Sequence, residues 1–154
     1  MVSVGKRVKN FTLPATGDQN LSLSDFTGHS LIIYFYPKDN TPGCTLEGQD
    51  FRDLYPQFTA AGADILGVSR DSVKTHGNFR NKHDFPFHLL SDTEELLCKQ
   101  FDVIKEKKLY GRTYMGIERS TFLIDGDGVL QQEWRKVRVP GHAQAVLDAL
   151  NARS

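Results

Sequence analysis

The sequence predicts an α/β fold in which a central mixed β-sheet carries helices on both faces. Three observations lead there. The run Leu31-Ile32-Ile33-Tyr34-Phe35-Tyr36 is apolar at every position, as a strand covered on both faces must be. After it, helical and extended periodicities alternate up to about residue 101. Near the C-terminus, two strand-like runs at residues 120–125 and 129–134 flank the turn Gly126-Asp127-Gly128, which reads as an antiparallel hairpin.

Taken in order, the central strand follows Gly28 and stops at Pro37, Pro42 and Gly43. Phe51, Leu54, Tyr55 and Phe58 then recur at i, i+3, i+4 and i+7, marking a helix from near Cys44 to near Gly62. Pro56 inside it is expected to kink or divide it. Residues 64–69 form a short strand, and Asp71 or Ser72 opens a helix that runs to about His83. A short strand at 87–90 precedes Ser91-Asp92-Thr93-Glu94, read as the cap of a helix over 94–101. Residues 105–119 are the least regular stretch, too long for a simple connection, and are read as a candidate active-site flap. The last helix places Ala143, Val146, Leu147 and Leu150 on one face.

Composition narrows the function. The 154 residues fit one domain, and 19 basic residues are matched by 19 acidic ones, so charge offers no reason to expect nucleic acid or an anionic membrane as partner. No apolar run approaches the ~20 residues of a membrane helix. The first residues lack the apolar core of a secretion signal, so a cytoplasmic location is expected and the sequons at Asn10 and Asn20 are read as chance. In that reducing setting the two cysteines, Cys44 and Cys98, point to a reactive thiol rather than a structural disulfide.

Cys44 is the informative one. It follows the buried strand by one tight loop, Tyr36-Pro37-Lys38-Asp39-Asn40-Thr41-Pro42-Gly43, and opens a helix. A helix N-terminus supplies positive partial charge and free N–H groups, and the crevice beyond strand C-terminal ends is the usual ligand site of an open α/β sheet. A thiolate there is stabilised and nucleophilic. Thr41 stands where a Cys-x-x-Cys motif would have its first cysteine, so no disulfide can form within the loop.

Pro37-x-x-x-Thr41-x-x-Cys44 resembles the peroxidatic signature of the peroxiredoxins. Tyr34-Phe35-Tyr36-Pro37-Lys38-Asp39, Cys44-Thr45-Leu46-Glu47-Gly48 and Trp134-Arg135-Lys136-Val137 resemble the peroxiredoxin Q, or bacterioferritin comigratory protein, branch. The resemblance covers nearly the whole chain. It implies a thioredoxin-like fold with an N-terminal β extension, and one domain over residues 1–154. It also implies a peroxidase reducing hydrogen peroxide and organic hydroperoxides through a sulfenic acid at Cys44. The family's later-strand arginine falls on Arg119 of Glu118-Arg119-Ser120-Thr121. Arg119 would favour the thiolate and orient the peroxide, Thr41 would supply a hydroxyl, and Pro37 would shape and dry the pocket. No cofactor or metal is implied, and a monomer is.

The branch places a resolving cysteine five residues after the first or in the following helix, where this chain has Gln49 and Arg80. Cys98 shares an apolar helical face with Leu97 and Phe101 and is read as core, so a one-cysteine cycle is expected, with thioredoxin or glutathione/glutaredoxin as reductant. The alternatives are an atypical two-cysteine cycle through Cys98, a thioredoxin-like thiol oxidoreductase and a non-catalytic binding module. Glu47, one turn after Cys44, would accept from Thr41, tune the site or simply favour the helix start. Tyr36, Phe79 and Trp134 are read as core or pocket lining. His76, His83 and His88 match neither a zinc site nor a triad and are expected to face solvent, with His142 at a helix start. The basic clusters Lys105, Lys107, Lys108, Arg112, Arg135, Lys136 and Arg138 are read as solvated surface.

Overall fold

A computed structural model describes residues 1–153. In order, the elements are β1 (Thr12–Ala15), β2 (Gln19–Ser22), a 3-10 turn (Leu23–Phe26), β3 (Ser30–Phe35), α1 (Pro42–Ala60), β4 (Ala63–Ser69) and α2 (Val73–Lys82). They continue with β5 (His88–Ser91), α3 (Leu96–Gln100), β6 (Ile104–Leu109), β7 (Arg112–Ile117), β8 (Ser120–Ile124), β9 (Leu130–Trp134) and α4 (His142–Asn151). Among the described residues, no helix is long and apolar enough to cross a membrane.

The main sheet has the order β2-β1-β5-β4-β3-β8-β9. Strands β3, β4 and β5 run parallel, while β1, β8 and β9 are antiparallel to their neighbours. The mixed sheet and the N-terminal β extension are therefore both present. Both crossovers, β3-α1-β4 and β4-α2-β5, step the same way across the sheet, so the right-handed rule puts α1 and α2 on one face. There, Ile32, Tyr34, Ile65 and Leu89 pack against Phe51, Phe58, Phe79, Val146 and Leu147 of α1, α2 and α4. The opposite face of the same strands, with Leu31, Ile33, Phe35, Leu66 and Leu90, packs against Leu97, Cys98 and Phe101. This two-sided burial is why β3 is apolar throughout.

Three local expectations are corrected. Pro56 does not divide α1, which runs unbroken from Pro42 to Ala60; Phe51 and Phe58, both fully buried, anchor it on either side of the proline. The helix expected over 94–101 is shorter, because Glu95 takes a left-handed φ of 61° and turns the chain just before it. The irregular stretch at 105–119 is mostly a regular two-stranded ribbon, β6 paired antiparallel with β7. Its tip, Tyr110-Gly111, has φ of 52° and 75° at its two loop positions, the left-handed pair that a tight hairpin needs. The ribbon stands apart from the main sheet, so its residues carry no one-sided burial pattern to betray it.

Candidate active site

The loop from Tyr36 to Thr41 leaves the C-terminal end of β3 and delivers the chain to α1. Thr41 is the N-cap in extended conformation, with φ −85° and ψ 151°, and Pro42 takes the first helical position, where its missing N–H is not needed. Cys44 is the third residue of the helix. Thr41 makes no side-chain cap bond; its hydroxyl instead donates to the Lys38 carbonyl at 2.8 Å. The first-turn N–H groups of α1 thus keep their positive end open toward the cysteine. The hydroxyl proton expected to face a peroxide is held inside the loop, which leaves the Thr41 oxygen as an acceptor. Pro37 is half-buried at the start of the loop.

Arg119, between β7 and β8, closes the site from across the sheet. Its Nη2 lies 3.3 Å from Cys44 Sγ and its Nη1 donates to Glu47 Oε1 at 2.6 Å. The guanidinium also lies against Gly43, where an added Cβ would stand 3.3 Å from Nη2, so the helix opens on a residue small enough to admit it. Cys44 is 2% exposed and Glu47 1%, whereas the Arg119 side chain keeps 16%. Burial alone would loosen the Arg119 proton, but the charges of Glu47 and Cys44 outweigh it and hold the guanidinium more firmly protonated than usual. Glu47 is pushed up to about 7 by burial, against the pull of Arg119. Its Oε2 has no hydrogen-bond partner among the described residues. Glu47 therefore serves Arg119, not Thr41.

The expectation of solvent exposure for His76, His83 and His88 fails for His76, and His142, at a helix start as expected, is buried as well. His142, the first residue of α4, is buried with its Nε2 2.7 Å from Thr121 Oγ1, and burial with the Arg119 charge pushes it down to about 4. His76 is fully buried, with Nδ1 2.6 Å from Asp39 Oδ2 and Nε2 2.8 Å from the Leu90 carbonyl. It lies three residues before buried Phe79 on α2, a spacing that puts both on one helical face and was the available sign of its burial. Asp39, Asp71 and His76 have donor atoms within 4.8 Å of one another, but the atoms a cation would need are already engaged: both His76 nitrogens as above, and Asp39 Oδ1 by the Tyr36 hydroxyl.

Tyr36 and Phe79 are core residues 6.2 Å apart between ring centroids, and Trp134 is half-buried beside His142. The ribbon does reach the site. Lys107 is pushed down by burial and by the charge of Arg119, and it also feels Cys44. Lys107 is thus not simple solvated surface, and neither is Arg135, which donates to the Asp102 and Phe101 carbonyls at 2.8 and 2.9 Å and lies over the Phe122 ring at 5.2 Å. A concavity of about 520 Å³ between Val8, Phe26, Leu31 and Gly126 lies at the other end of β3 and shares no residue with the Cys44 site.

Cys98 is on the opposite face of the sheet from Cys44. Burial, then the hydrogen bond and charge of Asp92, raise its thiol far above the ordinary range. Gln49 and Arg80 occupy the positions without a resolving cysteine, and Arg80 donates to the Phe87 carbonyl at 2.9 Å.

Residues 4–133 match the model of the AhpC/TSA family. A peroxiredoxin Bcp of Xanthomonas campestris pv. campestris is 58% identical over 94% of this chain and 91% of its own. The peroxiredoxin Bcp of Bacillus subtilis is 48% identical over 99% of this chain and 98% of its own. Among solved structures, a mutant of Xylella fastidiosa PrxQ superposes with a TM-score of 0.95 at 48% identity, over 99% of this chain and 98% of that one. The bacterioferritin comigratory protein of X. campestris, studied for alkyl peroxide reduction, gives 0.89 at 57% identity over 93% and 91%.

Proposed function

We propose, from the premise that the chain belongs to the AhpC/TSA family and is a thiol-dependent peroxidase with a thioredoxin-like fold, that Cys44 is the residue that attacks the peroxide and that Arg119, Thr41 and Pro37 surround the reacting sulfur. The observation that carries this reading is the Arg119 guanidinium 3.3 Å from Cys44 Sγ at an uncapped helix start. A fixed positive charge and free N–H groups favour the thiolate and meet the negative charge that grows on the departing oxygen.

The thiolate attacks the terminal oxygen of the hydroperoxide. The S–O bond forms as the O–O bond breaks, leaving a sulfenic acid on Cys44 and an alkoxide or hydroxide that takes a proton to become alcohol or water. Glu47 holds one arm of the guanidinium, so the other stays directed at sulfur. One external thiol then displaces water from the sulfenic acid to give a mixed disulfide, and a second thiol releases Cys44 and the oxidised reductant.

The cycle is read as one-cysteine, because Cys44 and Cys98 pack on opposite faces of the sheet and a disulfide needs Cα atoms within ~7 Å. Organic hydroperoxides are read as substrates beside hydrogen peroxide, in line with the alkyl peroxide reduction of the X. campestris relative. The chain is read as acting as a monomer in the cytoplasm, reduced by thioredoxin or by glutathione/glutaredoxin. Stopped-flow competition for hydrogen peroxide tests the assignment: Cys44 should outrun free cysteine by orders of magnitude, and parity would reject it. Non-reducing mass spectrometry after one equivalent of peroxide should show Cys44 sulfenate or a mixed adduct, and a Cys44–Cys98 bridge would reject the one-cysteine cycle. Turnover with each reducing system then separates the two reductants.

A further inference from the structure

Beneath the loop that leads to Cys44 lies a polar knot buried in an otherwise apolar layer. The side chains of Asp39 and His76 are both 0% exposed. Carbonyl oxygens only accept, so His76 Nε2, 2.8 Å from the Leu90 carbonyl, must carry a hydrogen. The 2.6 Å contact between Nδ1 and Asp39 Oδ2 then needs a second one, giving a ring protonated on both nitrogens against a carboxylate, or a shared proton between the two. Asp39 Oδ1 accepts from the Tyr36 hydroxyl at 2.6 Å, and the Asp39 N–H donates to Asp71 Oδ2 at 2.9 Å. Asp71 is itself held by the Ser69 hydroxyl, and its carbonyl accepts from Ser91 at 2.6 Å. One loop residue is thereby tied to the end of β3, to the turn before α2, to α2 itself and through His76 to β5.

The tie falls where the chain direction is decided. Asn40, the next residue, has a left-handed φ of 65°, and Thr41 then occupies the N-cap position of α1. Any shift of Asp39 is passed through one strained residue and one cap to the first turn that carries Cys44. Stability alone does not account for such a knot, since well-packed apolar residues of the same volume serve a core as well as a buried charge pair or better.

We propose that Asp39 and His76 form a buried clasp that positions the Tyr36–Thr41 loop, and with it Cys44, against Arg119, making both of them positioning residues for the peroxidase reaction. This rests on the assignment of Cys44 as the attacking residue. Peroxide reduction needs sulfur, guanidinium and loop in register, whereas alkylation by iodoacetamide, taken throughout as the rate per thiolate with the thiolate fraction read from ultraviolet absorbance, needs only an accessible sulfur. Loosening the clasp separates the two.

The test compares both rates in the wild type, His76→Phe, Asp39→Asn and the double variant Asp39→Asn/His76→Phe. In His76→Phe the peroxide rate at Cys44 falls by about 10- to 100-fold, the size of effect a misplacement near 1 Å produces, while alkylation is unchanged or faster. The double variant removes the clasp without leaving a buried unpaired charge, so it keeps the measurement available if the single variant does not fold; it shows the same split. Asp39→Asn rescues: its amide donates to a neutral His76 and its carbonyl accepts from Tyr36, so every bond survives and the rate stays within about 3-fold of wild type. A folded double variant with the wild-type peroxide rate overturns the clasp. So does an Asp39→Asn rate as low as the double, or peroxide and alkylation rates that fall together. A wild-type Cys44 no faster than free cysteine overturns the site assignment and the clasp's role with it, whereas a fast wild type with equally fast variants overturns the clasp alone.

Discussion

Cys44 and Cys98 are both third residues of a helix and both buried, at 2% and 0% exposure, yet their surroundings are electrically opposite. At α1 the N-cap hydroxyl turns away to Lys38, the first-turn N–H groups stay open and Arg119 supplies a cation. At α3 the Asp92 carboxylate takes those groups for itself, accepting from the N–H of Leu97 at 3.2 Å and of Cys98 at 2.7 Å. Its charge then faces the thiol. A helix start favours a thiolate only while its N–H groups remain unclaimed, and the side chain that claims them decides the sign.

The comparison breaks first at the cysteines themselves. Cys44→Ser should abolish fast peroxide consumption, while Cys98→Ser should leave the second-order rate at the wild-type value; stopped-flow measurement of both reads the largest contrast in the molecule. Removing the cation is the next step down. Arg119→Ala should slow peroxide attack by about 100-fold in stopped-flow measurement, as loss of one preorganised donor does. An unchanged rate would take Arg119 out of the site.

The other half of the comparison is tested at Asp92, which is 1% exposed. Asp92→Ala should destabilise the fold by about 1–3 kcal/mol in urea, because two N–H groups lose their acceptor. It should also bring the Cys98 thiol down only part of the way, since burial is the larger cause of its raised position. A Cys98 that becomes as reactive as Cys44 on this change alone would show that the cap, not the arginine, separates the two sites.

How much of this could be read beforehand depended on distance along the chain. The strand, loop and helix around Cys44 were readable because the apolar run from Leu31 and the punctuation by Pro37, Pro42 and Gly43 are contiguous. Arg119 lies 75 residues away and came only through the resemblance to a known signature. The role of His76 is not legible because its partner Asp39 is 37 residues distant, and the spacing to Phe79 signals burial but not what the ring meets. Asp92 lies inside the predicted cap but reaches past Glu95 to the residues beyond it, a geometry that the left-handed turn at Glu95 creates. The β6–β7 ribbon escaped because neither face is continuously buried and Tyr110-Gly111 is not a common turn pair.

The smallest effect is a pH profile that belongs to one cysteine's side of the sheet alone. Glu47 and His142 both feel Arg119, and they titrate with opposite signs. Glu47 rises from an ordinary 4.5 to about 7, so between those values the folded protein holds a proton that the unfolded chain has lost, and stability falls as pH rises through that range. His142 drops from 6.5 to about 4, so between those values the unfolded chain holds the extra proton, and stability falls as pH drops. The two slopes oppose each other where the ranges overlap. Glu47→Gln should leave His142 unopposed, so that urea midpoints climb more steeply from acid pH to 6.5 and then level off. A Glu47→Gln profile parallel to the wild type would mean that Glu47 does not titrate there. Cys98→Ser, on the face that Arg119 does not reach, should reproduce the wild-type profile; a changed slope would mean that the two faces of the sheet share one electrostatic environment after all.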